Sequence, residues 1–154
     1  MIYSASAGSG KTHTIVSLFL TQLLRSNKPE NIRRMLAVTF TNKATSEMKE
    51  RIIKKLQLFA SETSELDKDP VFCFVKKQLR VTDRTLQTKA KLFLEFMINN
   101  YNYFNVITID RLSHNIIRNF SSDLGLQSNF QVEIDTKEFV SLICLLYTSD
   151  AADD

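Results

Sequence analysis

Tryptophan is absent from this chain of 154 residues, and it holds only three glycines, two prolines and two cysteines. So little glycine and proline excludes collagen-like and Pro/Gly-rich disordered chains, and the 44% hydrophobic and 24% charged content is that of an ordinary soluble domain. Cys73 and Cys144 lie far apart, with no C-x-x-C pair and no histidine at ligand spacing. Neither a disulfide framework nor a zinc ribbon is therefore encoded, and a reducing, cytoplasmic location is expected. The N-terminal residues show no charged segment followed by an apolar one, and the longest apolar run, Ile15 to Leu24, is broken by Ser17, Thr21 and Gln22. No export signal and no membrane span are expected. The length suits one domain with a real core, so a larger machine is expected to be present only as a fragment.

The stretch Cys144 to Asp154, CLLYTSDAADD, has three acidic residues, no basic ones and a string of small residues. It resembles the in-frame translation of a transposase-type sequencing adaptor, so residues 144–154 are expected to be non-native. Setting Asp150, Asp153 and Asp154 aside from the 17 acidic residues leaves 14 against 20 basic ones, a net +6 for residues 1–143. That charge is compatible with a nucleic-acid partner, and equally with lysines scattered for solubility.

The hydrophobic pattern alternates between strand and helix. Met1 to Tyr3 reads as a short strand, followed by a small-residue loop and a buried helix over Thr14 to Arg25. Ser26 to Glu30 is a turn, and Met35 to Phe40 a second strand. Thr41 or Asn42 then caps a helix over Lys43 to Phe59, with Ala44, Met48, Ile52 and Leu56 on one stripe and Lys49, Arg51, Lys54 and Lys55 on the other faces. Ser61 to Pro70 is loop-like, Val71 to Leu79 a short helix and Thr88 to Tyr103 a longer one. Asn105 to Ile109 is a third strand, and Leu112, Ile116, Ile117, Phe120 and Leu124 form the stripe of a last helix closed by Gly125. Cys73, within VFCFV, reads as a small buried hydrophobe. The order predicts an α/β domain with a parallel sheet, whose ligands gather at the carboxyl ends of the strands.

Two of the three glycines fall in Ala5 to Thr12, ASAGSGKT, a P-loop pattern with Ala5 at the usual first glycine. Gly8 and Gly10 let consecutive backbone N–H groups of Ala5, Ser6, Ala7, Gly8, Ser9 and Gly10 converge on phosphate oxygens, and the following helix N-terminus adds partial positive charge. Lys11 would reach the β- and γ-phosphates of ATP, and Thr12 would ligate Mg²⁺. After the second strand, Phe40, Thr41, Asn42 and Lys43 offer an aromatic face for a base, hydroxyl and amide donors, and a cation for phosphate. From the residues alone, an equal reading has Phe40 plugging the core while Thr41 and Asn42 merely cap the helix. His13 and His114 stand at no catalytic spacing and are read as structural.

ASAGSGKT followed by LAVTFTNKATSEMKERI, Leu36 to Ile52, resembles motifs I and Ia of the UvrD/RecB-like superfamily 1 DNA helicases. TIDRLSHNIIRNF, Thr108 to Phe120, is similar to their motif Ib region, and DLGLQSNFQVEID, Asp123 to Asp135, to the segment that follows it in RecB- and AddA-like helicase-nucleases. The resemblance implies a P-loop NTPase fold with a RecA-like parallel sheet and flanking helices. Residues 1–143 would be the first part of domain 1A, truncated, with a helical insert at about 62–104. It implies an ATP-driven 3′ to 5′ motor on single-stranded DNA in repair or recombination. Its partners would be DNA, single-stranded or duplex, and a helicase-nuclease subunit. Ala5 to Thr12 would hold ATP and Mg²⁺, Phe40 to Lys43 would touch the DNA strand, and Thr108 would begin a second DNA contact. Asp110 stands where many family members have histidine, and a carboxylate is ill suited to lie against phosphate. The family's Walker B acids, sensor glutamine and arginine fingers have no counterpart in this sequence, so the fragment is expected to hydrolyse ATP hardly at all.

The rival reading is a complete small P-loop NTPase or nucleotide kinase, with VITID, Val106 to Asp110, as a strand ending in a Walker B acid. A third is a basic module binding nucleic acid through its lysine-rich helix without ATP.

Overall fold

The computed structural model describes residues 10–61, 66–121, 123 and 125. The expected strand Met1 to Tyr3, the loop residues Ala5 to Ser9 and the tail 144–154 lie outside the described residues. The chain divides into two compact units, residues 1–112 and 113–154.

In the first unit, helix α1 runs over Lys11–Arg25 and buries Val16, Phe19, Leu20, Leu23 and Leu24. Two hydroxyls are buried with them and both are satisfied within the helix: Ser17 Oγ donates to the His13 carbonyl (2.8 Å) and Thr21 Oγ1 to that of Ser17 (2.7 Å). This back-bonding lets two polar residues enter an apolar interface without orphaned groups. Beyond a 3₁₀ turn, Pro29–Arg34, that buries Ile32, strand β1 spans Ala37–Thr39. Arg33 lies with its guanidinium 3.8 Å from the centre of the Tyr103 ring, tying this turn to the far end of the helical segment.

Helix α2, Asn42–Ala60, is capped by Thr41, whose Oγ1 accepts the Ala44 amide at 3.1 Å. Met48, Ile52, Leu56 and Phe59 are buried along it, whereas Ala44, expected on the same stripe, is exposed because packing begins one turn later, at Met48. Helix α3 covers Pro70–Leu79. Asp69 caps it, its Oδ1 accepting the Val71 and Phe72 amides at 3.0 and 2.9 Å, and Pro70 fills the first position, where no amide is needed. Cys73, read as buried, is exposed on α3, its thiol directed at the Asp67 carbonyl (3.2 Å). Val71, Phe72 and Val75 take the buried face instead.

Helix α4, Asp83–Asn99, starts five residues before the expected Thr88. Thr82 is the cap that accounts for this, its Oγ1 accepting the Thr85 amide at 3.3 Å. The helix also stops short of Tyr103, giving way to a 3₁₀ turn at Tyr101–Tyr103. Strand β2, Val106–Thr108, pairs parallel with β1 in the register Ala37 to Val106, Val38 to Ile107 and Thr39 to Thr108. Parallel strands need a long crossover, and α2, α3 and α4 supply it. Ile109, expected to end the strand, opens helix α5, Ile109–Asn119.

The core lies among the helices. α2 packs chiefly on α4, and α1 on α3, with further contacts of α1 to α2 and α4. Phe59 and Phe72 meet edge to face at 5.1 Å between ring centres, and Phe19 and Phe104 lie 5.9 Å apart. Each fully buried side chain of this size contributes about 1.5–3 kcal/mol over exposure. The expected α/β organisation is thus present as a mostly helical body carrying, among the described residues, a two-stranded parallel sheet. In the second unit the described residues are the rest of α5, where Ile116 and Ile117 are exposed, and turn residues beyond it, among them exposed Phe120 and Gly125 at φ 67°. Gly125 therefore has the left-handed conformation expected of it, but α5 has already ended at Asn119.

Candidate nucleotide and nucleic-acid site

Because β1 and β2 run parallel and in register, their last residues, Thr39 and Thr108, lie side by side. Each strand then hands over to a helix, so two helix N-termini rise from one edge of the sheet, where backbone amides and the positive dipole ends favour anions. Ile15, early in α1, lines a cavity of about 530 Å³ together with Val38, Thr39 and Met48, so the start of α1 comes to the same edge.

Gly10 is the N-cap residue of α1, at φ 79° and ψ 16°. A Cβ there would meet nothing within 4 Å, so the left-handed backbone rather than lack of room calls for glycine. Its carbonyl accepts the Thr14 amide at 3.0 Å and lies 3.3 Å from the Thr14 hydroxyl. No side chain caps the helix and no acidic residue occupies its first turn. Lys11 is the first helical residue, and Thr12, the expected Mg²⁺ ligand, is exposed. The described part of the expected phosphate loop therefore suits an anion, with no side-chain cap and no acidic residue in the first turn of α1.

At the end of β1, Phe40 is 86% exposed, which excludes it as a plug for the core. The bend that presents it is held by hydroxyls. Thr39 Oγ1 and Thr45 Oγ1 lie 2.6 Å apart, and each is 3.2 Å from the Thr41 carbonyl, which also accepts the Thr45 amide at 3.0 Å. Thr41 is exposed but its hydroxyl is engaged as the cap of α2, while Asn42 and Lys43 are exposed in the first turn. Thr108, expected to touch DNA, is only 8% exposed, and its Oγ1 accepts the Arg111 amide at 3.3 Å. Its side chain caps the start of α5 and does not face outward.

Asp110 is exposed in the first turn of α5, two residues past the end of β2. A carboxylate there complements the helix dipole, which accounts for it physically. A Walker B acid at the tip of a strand, as the small-NTPase reading requires, is not what VITID forms.

Three groups beside this edge are not linked to one another by the sequence. Lys49 Nζ stands 5.0 Å from the centre of the Tyr101 ring and 5.6 Å from that of Phe104, facing the side of α5 that carries Arg111. Burial lowers the Lys49 pKa, and the Arg111 guanidinium lowers it further. In the sequence Lys49 is one lysine of a solvated helix face. Only the tertiary placement of Tyr101 and Arg111 against it distinguishes it from its neighbours. Among the described residues, no cluster of histidine, cysteine or carboxylate side chains could hold a metal ion, and no helix is long and apolar enough to cross a membrane.

Residues 1–153 match the family of the UvrD/REP helicase N-terminal domain. The A subunit of the ATP-dependent helicase/nuclease of Clostridium novyi (strain NT) is 34% identical over 153 residues, 93% of this chain and 12% of that protein. The protein of the same name from Bacillus mycoides (strain KBAB4) is 29% identical over 161 aligned positions, covering all of this chain and 12% of the relative. That from Clostridium perfringens (strain 13 / Type A) is 34% identical over 111 residues, 71% of this chain and 8% of the relative. The chain thus spans 12% or less of the length of these relatives. No solved structure matches it.

Proposed function

Since the chain belongs to the UvrD/REP helicase N-terminal domain family, we propose that it is the nucleotide-binding and first DNA-contacting part of an ATP-dependent DNA helicase, built on a RecA-like P-loop fold. Ala5 to Gly10 wrap the phosphates with backbone amides, Lys11 neutralises the β- and γ-phosphates, and Thr12 ligates Mg²⁺. The uncapped, carboxylate-free N-terminus of α1 behind left-handed Gly10 supports this assignment. Bound ATP supplies the free energy of phosphoryl transfer. The chain's own part is to hold the phosphates and to couple their presence to the neighbouring strand edge.

At that edge Phe40 stacks on a base, while Asn42 and Lys43 contact the strand's backbone. Thr41 holds the turn, and Thr108 positions the amide end of α5 rather than touching DNA itself. The observation that carries the reading is the 86% exposure of Phe40 at the carboxyl end of β1. A large aromatic ring held in water by a hydroxyl-braced turn offers a face on which a base can stack. Translocation 3′ to 5′, a role in repair or recombination and a partner protein complete the proposal. The last is supported by the relatives' name, which makes each of them one subunit of a helicase/nuclease. Residues 144–154 are assigned to adaptor-derived sequence.

Stacking of this kind contributes about 1–3 kcal/mol per base. Anisotropy of a fluorescein-labelled oligothymidylate should therefore report roughly tenfold weaker binding for Phe40→Ala and nearly unchanged binding for Phe40→Tyr. Equal affinity of Phe40→Ala and the unaltered chain would remove Phe40 from the DNA site.

A further inference from the structure

At the far end of α1 from Lys11, roughly 21 Å along the helix axis, the run from Arg25 to Arg34 sets Arg25, Lys28, Arg33 and Arg34 against the one carboxylate of Glu30. That excess equals the net +3 of the whole chain. The fold gives these cations different duties. Arg33 lies on the Tyr103 ring. The Leu24 carbonyl, at the end of α1, accepts from Lys89 Nζ at 3.2 Å, so the helix terminus has its cation without Arg25. Arg25 and Arg34 are in no ion pair among the described residues. Both line a cavity of about 340 Å³ between the end of α1 and the 3₁₀ turn that follows. Gln22, Ser26, Asn31 and half-buried Met35 complete its walls, and no carboxylate lines it among the described residues. The rim is braced. Ser26 Oγ accepts the Lys28 amide at 3.0 Å and Asn31 Nδ2 at 2.7 Å, which fixes the Asn31 amide while its second N–H takes no part in that bond.

We propose that this cavity is a second anion site, separate from the phosphate loop, and that its ligand is a phosphate monoester on a small body. The chemistry of the walls selects the group. Two guanidiniums and the amides of Gln22 and Asn31 supply positive charge and donors. A phosphate monoester carries about 1.5 to 2 negative charges at neutral pH and three acceptor oxygens, enough to engage both forks. A single carboxylate has one charge and two oxygens, which one guanidinium satisfies. The volume stands at the lower end of small-ligand pockets and exceeds what a bare ion needs, and Met35 offers an apolar wall to the body that bears the phosphate. Free nucleoside monophosphates carry this group, and so does the 5′-phosphorylated end of a nucleic-acid strand.

The test is titration of the ¹⁵N-labelled full chain with thymidine 5′-monophosphate, followed through its backbone amide resonances. Those around Ser26 and Asn31 should shift and saturate, and thymidine alone should leave them in place. Arg25→Gln and Arg34→Gln, both at exposed positions where folding is not at stake, should each weaken this binding roughly tenfold, as loss of one charge-assisted contact does. Arg25→Lys with Arg34→Lys keeps the charge without the forks and should still bind several-fold more weakly than the unaltered chain. Lys11→Ala, at the other end of α1, should leave the shifts unchanged. Their loss in Lys11→Ala, full affinity in both glutamine variants, or equal binding of succinate would overturn the site and leave the nucleotide and DNA reading above untouched. Tighter binding of a 5′-phosphorylated oligothymidylate than of the monophosphate, with none by its 5′-hydroxyl counterpart, would assign the site to strand ends. Tighter binding of the free monophosphate would assign it to nucleotides.

Discussion

Phe40 and Phe59 sit near opposite ends of α2 and meet opposite fates: the first is 86% exposed at the strand edge, and the second is fully buried against Phe72. The same side chain is thus open to solvent at one end of the helix and part of the core at the other. The difference lies in what surrounds each. At the Phe59 end, α2 packs on α4, and Phe59 is buried within the apolar core. At the Phe40 end, the short strands stop, hydroxyls take up the backbone's polar groups, and nothing in the first turn of α2 is buried. If Phe40 stacks on DNA as proposed, stability and binding rest on different residues at the two ends of α2, and mutations should separate them.

The largest expected effect tests that separation. Phe59→Ala should cost about 3–5 kcal/mol of unfolding free energy, as large-to-small changes in packed cores do. Phe40→Ala should change it by less than about 0.5 kcal/mol. Urea denaturation of the two variants side by side reads both, and comparable losses would dissolve the distinction.

Asp69 should come next. Burial raises its carboxyl pKa, but the Lys55 ammonium and the Phe72 and Val71 amides outweigh this and hold it below the ordinary value. The sign follows from linkage: a carboxyl depressed in the folded state contributes stability above its unfolded pKa, near 4, and that contribution is lost as pH falls through the lower folded value. Asp69→Ala should cost about 1–3 kcal/mol at neutral pH, through the lost cap and the unpaired Lys55. It should also flatten the fall in stability below pH 4. A variant whose acid profile parallels that of the unaltered chain would show that the ion pair and cap do not titrate with folding. A smaller loss belongs to Thr41→Ala, at about 1 kcal/mol for loss of one N-cap, read from the thermal midpoint. Restoration by Thr41→Ser would tie that loss to the hydroxyl.

Much of this division is legible in the sequence where local chemistry decides the outcome. The period of Met48, Ile52 and Leu56 marks the buried face of α2, and the residues around Thr41 mark its start. The β-branched runs mark both described strands, though each is shorter than its apolar run because only three residues of each pair. What escapes is set by tertiary context. Thr82 and Thr85 cap α4 early, yet without a partner helix their spacing looks like loop. Cys73 and Ala44 have the right hydrophobicity for the core but the wrong position around their helices. At the site, the residue types are readable and their division of labour is not. Phe40 could equally have pointed inward, Thr108 caps α5 instead of facing a strand, and Lys49 gains meaning only from Tyr101 and Arg111, which lie far from it in sequence.

We propose that the segment ahead of α1 cradles phosphate, with Lys11 supplying the charge. The measurement that addresses it most directly is titration of the chain with a fluorescent ATP analogue in the presence of Mg²⁺, compared with Lys11→Ala at matched thermal stability. Loss of one charge-assisted phosphate contact, about 1.5–3 kcal/mol, predicts affinity weakened by roughly tenfold or more. Affinity unchanged by Lys11→Ala would contradict the account.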